Sequence, residues 1–345
     1  MIFLNKKIND FVMFVLACIF IFSGVVKGID PLGTSLKIYE YLNLFHLDML
    51  NVYSEVFSVV LCATEMFLGL FLVFRVFRKT SIIILLIIMF VFTLITAILA
   101  FDPYSYISDC GCFGEVVNLT NTETFLKNII ILLLVIYCCI SEYTIHDIHR
   151  IRDKKSNLCF AIYFMFGAFA LPVYSLIYLP PKDFLGYNIG TNLIEKKEFN
   201  IAEIGGAFVK DSLLNSDKYK FVVINRKPFT VKEKQNLTNV NNYCDKYKIE
   251  CLILKSYSCE DTLSTYFVDD ITLKSLIRDR NGLILIKNGI IKGKWNLRHK
   301  IINKKQNNNI IKLIKMQNAR FSLYLIVILI YISFPIVYFA FINKT

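Results

Sequence analysis

The chain has 345 residues, of which 55% are hydrophobic, 14% aromatic and 19% charged, with a formal net charge of +12. Soluble domains are about 45–50% apolar and about 25% charged, so this composition excludes disorder, a coiled coil and an ordinary cytosolic enzyme, and asks for several membrane spans. Ten cysteines in this length are too few for a disulfide scaffold.

A membrane span needs about 20 mostly apolar residues. Stretches 8–26, 53–74, 81–101, 125–140, 158–179 and 321–342 meet or approach that requirement. The fourth is short, and Lys127 is expected to snorkel at its edge. The first has the look of a signal peptide, but Ser23-Gly24-Val25-Val26-Lys27-Gly28 offers no small-x-small cleavage pattern, so it is read as a retained span.

Basic residues orient these spans. Lys6 and Lys7, then Arg75, Arg78 and Lys79, then Arg150, Arg152, Lys154 and Lys155, and finally Lys344 all fall on one side if the amino terminus is cytoplasmic. Both termini are then inside, and segments 27–52, 102–124 and 180–320 are outside. Residues 181–320 carry 26 basic and 14 acidic side chains, a net of +12, while the rest of the chain carries 13 of each. From Arg280 to Arg320 there are eleven Lys/Arg and no Asp or Glu. A basic run leading into a span suits anionic lipid headgroups; a solvated, lysine-rich helix face explains it equally well. Nucleic acid is not an expected partner on that side of a membrane.

The external segment begins with residues 181–217, read as a linker with a short amphipathic piece. The pattern then sharpens. Phe221-Val222-Val223-Ile224-Asn225 reads as a buried strand, and 231–247 has helical periodicity through Val231, Leu237, Val240, Tyr243 and Tyr247. Residues 250–255 read as a second strand, 259–267 and 271–278 as short helices, and 283–286 and 290–295 as strands joined at Lys287-Asn288-Gly289 by an Asn-Gly hairpin turn. Residues 296–317 read as mostly helical. This order resembles the thioredoxin fold. The resemblance lies in topology and not in catalytic motif: where a thioredoxin carries Cys-x-x-Cys, this chain has Asn225-Arg226-Lys227-Pro228-Phe229-Thr230, and where it carries a proline before the third strand, this chain has Arg280-Asn281-Gly282-Leu283. Cys244, Cys251 and Cys259 lie outside the expected active positions; packing is the reading for Cys251, with a structural disulfide among the three as the alternative.

The sharpest motif is Asp109-Cys110-Gly111-Cys112-Phe113-Gly114, between spans on the external side. Two residues of extended chain cover about 6.6–7.2 Å, and a disulfide wants Cα atoms about 4.4–6.8 Å apart. The bond closes only in a tight turn, which Gly111 permits, and strained disulfides are the labile, oxidising ones that a thiol relay needs. A purely structural turn is the alternative. Metal binding needs about four ligands, and outside the main external domain only His46 lies on the same side, so no metal is expected.

Glu65 sits mid-span, where an ionisable side chain is a functional candidate by default. It either holds a proton near a quinone or hydrogen-bonds a neighbouring helix; Lys27 is its nearest counter-charge. Cys18, Cys62, Cys138, Cys139 and Cys159 lie in spans and act as small apolar residues. His146 and His149 share a helix face on the cytoplasmic side, as residues three apart do, and are read as solvated at the interface.

The cysteine motif ahead of a fourth span, together with Phe22-Ser23-Gly24-Val25-Val26-Lys27 before Asp30-Pro31 and Glu65-Met66-Phe67-Leu68-Gly69 in span 2, resembles the MauE branch of the DoxX-like membrane proteins over residues 8–140. The resemblance implies a four-helix bundle of the bacterial inner membrane associated with redox or disulfide chemistry. MauE-type proteins are linked to maturation of periplasmic methylamine dehydrogenase and act beside a separate thioredoxin-like partner; here such a domain is fused.

The expected architecture is an α-helical multipass membrane bundle, four-helix DoxX/MauE-like plus two further spans, with an α/β thioredoxin-like external domain. Its parts are a membrane domain at 1–145, a cytoplasmic loop and fifth span at 146–180, the linker at 181–217, the thioredoxin-like domain at 218–317 and a sixth span at 321–342. The expected function is thiol–disulfide exchange through Cys110 and Cys112, with Glu65 as a third catalytic candidate and Lys27, Gly111 and Phe113 as binding candidates. A membrane quinone is the cofactor this reading carries, and a periplasmic thiol protein and inner-membrane lipid are its partners. The competing reading is a non-enzymatic scaffold whose external domain binds a partner or envelope lipid.

Overall fold

The computed structural model describes residues 6–101, 119–144, 154–180, 186–203, 208–256 and 266–299, with single residues at 301, 310 and 314. It divides into a unit up to Ile177 and a second unit from Tyr178.

The first unit is helical. Among the described residues, five helices are long and apolar enough to cross a membrane: Lys6–Ile29, Asp48–Val73, Arg78–Phe101, Asn121–Thr144 and Asn157–Ile177. They answer to the first five expected spans; the sixth, 321–342, lies outside the described residues. We label the α-helices α1 (Lys6–Ile29), α2 (Pro31–Leu44), α3 (Ser54–Val73), α4 (Arg78–Phe101), α5 (Asn121–Thr144) and α6 (Lys154–Ile177). At about 1.5 Å per residue a 24-residue helix such as α1 is about 36 Å long, enough for a hydrocarbon core of about 30 Å. The fourth span is therefore longer than its apolar run: α5 recruits polar residues at both ends, with Thr120 and Glu123 bonded reciprocally at its start.

Positions 13, 16, 17, 20, 23, 24 and 27 of α1 are buried, a stripe at three- and four-residue spacing. Phe11, Phe14, Ile87 and Leu133 point the other way and are exposed, as lipid-facing side chains must be. The stripe of α1 meets α3 at two glycines. A Cβ on Gly24 would lie 2.6 Å from the Met66 backbone nitrogen, and one on Gly69 would lie 2.8 Å from the Ala17 carbonyl oxygen. These two helices touch backbone to backbone, which only glycine permits. Phe164 of α6 fills the other side of α3, its ring 6.3 Å from that of Phe71 and 5.0 Å from that of Phe74. α4 packs on α5, where buried Asn128 donates from Nδ2 to Thr96 Oγ1 at 3.2 Å. At one end of the bundle Asp10 of α1 pairs with Arg75 and Arg78, and Arg78 also pairs with Glu142 of α5.

Segment 27–52, read from the sequence as a loop, contains α2. Pro31 opens it and Asp30 caps it by accepting from the Gly33 N–H at 3.0 Å, the usual start signals of a helix. Ser58 of α3 donates to the Pro31 carbonyl at 2.5 Å and fixes where α2 begins.

The second unit is an α/β domain with strands β1 (Ala202–Glu203), β2 (Lys220–Asn225), β3 (Glu250–Ser256), β4 (Tyr266–Val268), β5 (Asn281–Lys287) and β6 (Ile290–Asn296), and helices α7 (Lys210–Leu214), α8 (Val231–Tyr247) and α9 (Asp270–Leu276). Sheet order is β1-β4-β3-β2-β5-β6. β2 and β3 are parallel, β2 and β5 antiparallel, and β5 and β6 antiparallel. The four strands β3-β2-β5-β6 thus have the order and directions of a thioredoxin core. β2 is buried on both faces: Val222 and Ile224 join one apolar layer, Phe221 and Val223 the other, with α8 over the second. This follows from the period of two along a strand. At the β5–β6 turn Asn288 and Gly289 both have positive φ, 53° and 70°, as the Asn-Gly turn requires.

Two sequence expectations need correction. Residues 266 and 267, assigned to a short helix, belong to β4, which pairs parallel with β3 from Leu254 onward; three residues are too few for periodicity to separate strand from helix. The segment read as a linker supplies core: Tyr187, Leu193, Phe199, Ile201 and Leu214 are buried against Ile224, Leu254 and Ile284.

Candidate functional site

The α1–α3 glycine contacts bring a polar cluster together inside the first unit. One turn before Gly69 stands Glu65, and flanking Gly24 stand Ser23 and Lys27. Lys27 Nζ lies 2.5 Å from Glu65 Oε1, and Ser23 Oγ donates to Glu65 Oε2 at 2.7 Å. Glu65 is 1% exposed and Lys27 4%. A charge so deeply buried persists only when paired and hydrogen-bonded, and here both carboxylate oxygens are taken. The Lys27 ammonium also stands 5.6 Å from the centre of the Phe92 ring of α4, within cation–π range. The sequence reading named Glu65 and its partner Lys27; it did not assign Ser23 to the site, since a serine on a span has no signal of its own. Lys127, on α5, lies in electrostatic reach of Lys27 and Glu65. Cys62, one turn from Glu65, is buried.

Cys110, Gly111, Cys112 and Phe113 lie outside the described residues, as do His146, His149 and Cys259. Among the described residues no group of three His, Cys, Asp or Glu side chains is arranged to hold a metal ion.

In the second unit, the place of a thioredoxin dithiol is filled by a polar network. Asn281 Oδ1 accepts from the backbone N–H groups of Arg226 at 3.0 Å and Lys227 at 3.2 Å. Its Nδ2 donates to Glu233 Oε2 at 3.3 Å, and Glu233 completes a capping box with Thr230 at the start of α8. Arg226 pairs with Asp270 at 3.1 Å and donates to the Asp279 carbonyl at 2.8 Å, and Arg298 pairs with Asp279 at 2.7 Å. Burial pushes the Asp279 carboxyl up, against the pull of Arg298. Burial also pushes Asp270 up, but Lys274 and Arg226 outweigh it and hold that carboxyl below its ordinary range. The network sets a polar brace where a thioredoxin has its nucleophile: Asn281, the first residue of β5, ties the β2–α8 junction to that strand.

Residues 5–141 match the family described as Methylamine utilisation protein MauE. The match spans α1 to α5 and the Cys110-Gly111-Cys112 loop, and this part of the chain is a MauE-like membrane domain. The chain is a multipass membrane protein with an α/β domain added to that bundle. It is similar to Protein TlpB of Flavobacterium psychrophilum, 26% identical over 206 residues, which cover 58% of this chain and 52% of that protein. The chain thus spans about half the length of that relative, and the likeness runs beyond the MauE-like segment. No solved structure matches the chain.

Proposed function

We propose that the protein is a thiol–disulfide exchange protein of a bacterial inner membrane, in which the MauE-like bundle presents Cys110 and Cys112 to a periplasmic thiol protein. The observation that carries this reading is that one family match takes in both the buried Lys27–Glu65 pair and the Cys110-Gly111-Cys112 loop. Cys110 and Cys112, as a disulfide, take two electrons from the partner's thiols: one sulfur is attacked to form a mixed disulfide, and a second partner thiol resolves it. Gly111 and Phe113 are the proposed binding residues of this motif. Glu65 and Lys27 hold α1 to α3 within the same bundle. A membrane quinone is the proposed final acceptor. No electron step is placed at the Ser23–Lys27–Glu65 cluster.

The experiment is capture of the partner. In a Cys110→Ser or Cys112→Ser variant the remaining thiol attacks the disulfide of the oxidised partner, the reverse of the exchange step, forming a mixed disulfide and releasing one partner thiolate; a reducible band above the monomer is expected on a non-reducing gel. Monomer alone in both variants would overturn the exchange reading. The scaffold reading would then replace it, favoured by the braced Arg226–Asn281 junction with its missing cysteines.

The orientation makes a separate prediction. Reporter fusions at Asn118 and Asn236 are expected to be active outside the membrane, and fusions at Lys154 and Thr345 inside it. A cytoplasmic signal at Asn236 would place the α/β domain on the reducing side.

A further inference from the structure

The α/β domain has lost the dithiol of the thioredoxin position, yet it contains two cysteines in contact elsewhere. Cys244 lies in the last turns of α8, and Cys251 is the second residue of β3. The register of β3 with β2 sets Cys251 opposite Phe221, on the sheet face that α8 covers. Lys248, with φ 53°, turns the chain at the end of α8, and the Ile249 N–H donates back to the Cys244 carbonyl at 2.9 Å. That cap folds β3 back beneath the helix and brings the two side chains into one apolar cluster, close enough for their thiols to interact. Cys244 is 2% exposed, whereas Cys251 is partly exposed. β4 pairs with β3 only from Leu254 onward, so among the described strands the beginning of β3 is uncovered on that edge.

We propose that Cys244 and Cys251 form a second redox site, a dithiol that closes to a disulfide by exchange with a disulfide-bearing partner or a small-molecule disulfide. The site stands at the opposite end of α8 from the thioredoxin position. Thirteen residues separate Cys244 from the first residue of α8, Val231, or about 20 Å of helix. The proposal does not rest on exchange at Cys110 and Cys112.

The roles follow from access: Cys251 is partly exposed and Cys244 is buried. The interaction with Cys244 also lowers the pKa of the Cys251 thiol, against burial. The thiolate is the nucleophile. Cys251 attacks one sulfur of R–S–S–R, forms a Cys251–S–S–R mixed disulfide and releases one R–S⁻. Cys244 then gives up its proton and attacks Cys251 Sγ, the internal disulfide forms, and the second R–S⁻ leaves. Two thiols of the domain are oxidised and one external disulfide is reduced; the two protons end on the two released thiols.

The test uses the full-length protein in detergent, in a Cys110→Ser/Cys112→Ser background, equilibrated with glutathione buffers of graded oxidation. After an acid quench, free thiols are alkylated and tryptic peptides are quantified by mass spectrometry; Lys246 and Lys248 allow cleavage between the two cysteines. Both should be protected together across the titration, with a linked Cys244–Cys251 peptide rising in step and disappearing with dithiothreitol. Cys244→Ala should raise the glutathione-bound fraction of Cys251 at least fivefold, because nothing resolves the mixed disulfide. Cys251→Ala should leave Cys244 unmodified, because it is buried. A circular dichroism spectrum like that of the parent establishes that each variant is folded. Overturning results are a Cys251–Cys259 linked peptide, glutathione on Cys251 of the parent without the internal link, or both cysteines fully alkylated in the most oxidising buffer.

Discussion

Lys27→Met should lower the stability of the membrane bundle more than any lipid-facing substitution, because it leaves the Glu65 carboxylate buried without its cation. Removing one partner of a buried pair costs about 3–5 kcal/mol, which corresponds to a fall in the thermal midpoint on the order of 10 °C. Glu65→Leu should cost a similar amount by stranding the Lys27 ammonium. Lys27→Met is the milder of the two, since the Ser23 hydroxyl still bonds the Glu65 carboxylate. The double variant Lys27→Met/Glu65→Leu should recover much of the loss, because two apolar side chains of similar volume need no partners. Thermal unfolding of detergent-solubilised protein reads all three. Single effects that simply add in the double variant would show that the 2.5 Å pair contributes no coupling.

Gly24→Ala and Gly69→Ala are the second expected large effect, with a sign opposite to the intrinsic one. In an uncrowded helix, glycine to alanine gains about 1 kcal/mol. At Gly24 the added Cβ meets the Met66 nitrogen at 2.6 Å and the Cys62 carbonyl at 2.8 Å; at Gly69 it meets the Ala17 carbonyl at 2.8 Å and the Ile21 nitrogen at 2.9 Å. These are backbone atoms of the facing helix and cannot rotate aside. α1 and α3 must separate, and Ser23 and Lys27 then draw away from Glu65. The overpacking penalty of about 1–3 kcal/mol therefore adds to a weakened ion pair. Folded yield on size-exclusion chromatography and the thermal midpoint should both fall; a rise in either variant would mean that the helices do not touch there.

Run length alone revealed the described spans, because a bilayer fixes how many apolar residues a helix needs. Glu65 and Lys27 were legible for the same reason: charges are scarce in such runs, and a buried one demands a partner. Ser23 was not, since its role exists only where α1 meets α3. α2 was hidden by its brevity, although Asp30-Pro31 is a start signal in hindsight. In the α/β domain, the alternation of β2 and the Asn288-Gly289 turn carried the topology. Residues 186–203 gave no period because Tyr187, Leu193, Phe199 and Ile201 reach the core singly from irregular backbone. The Cys244–Cys251 contact was likewise invisible in one dimension: it depends on a helix cap at Lys248 and on strand register. The Asn281 brace shows the same limit, because the sequence identified what was absent from the thioredoxin position but not what replaced it.

The exchange account is tested most directly by the redox state of Cys110 and Cys112 in membranes from growing cells. Acid-quenched samples, alkylated before and after reduction, report whether the two sulfurs are bonded to each other. The account predicts a Cys110–Cys112 disulfide in part of the population at steady state, lost within a reductant pulse and restored when the reductant is removed. Thiols that stay fully alkylatable throughout growth and recovery would contradict it.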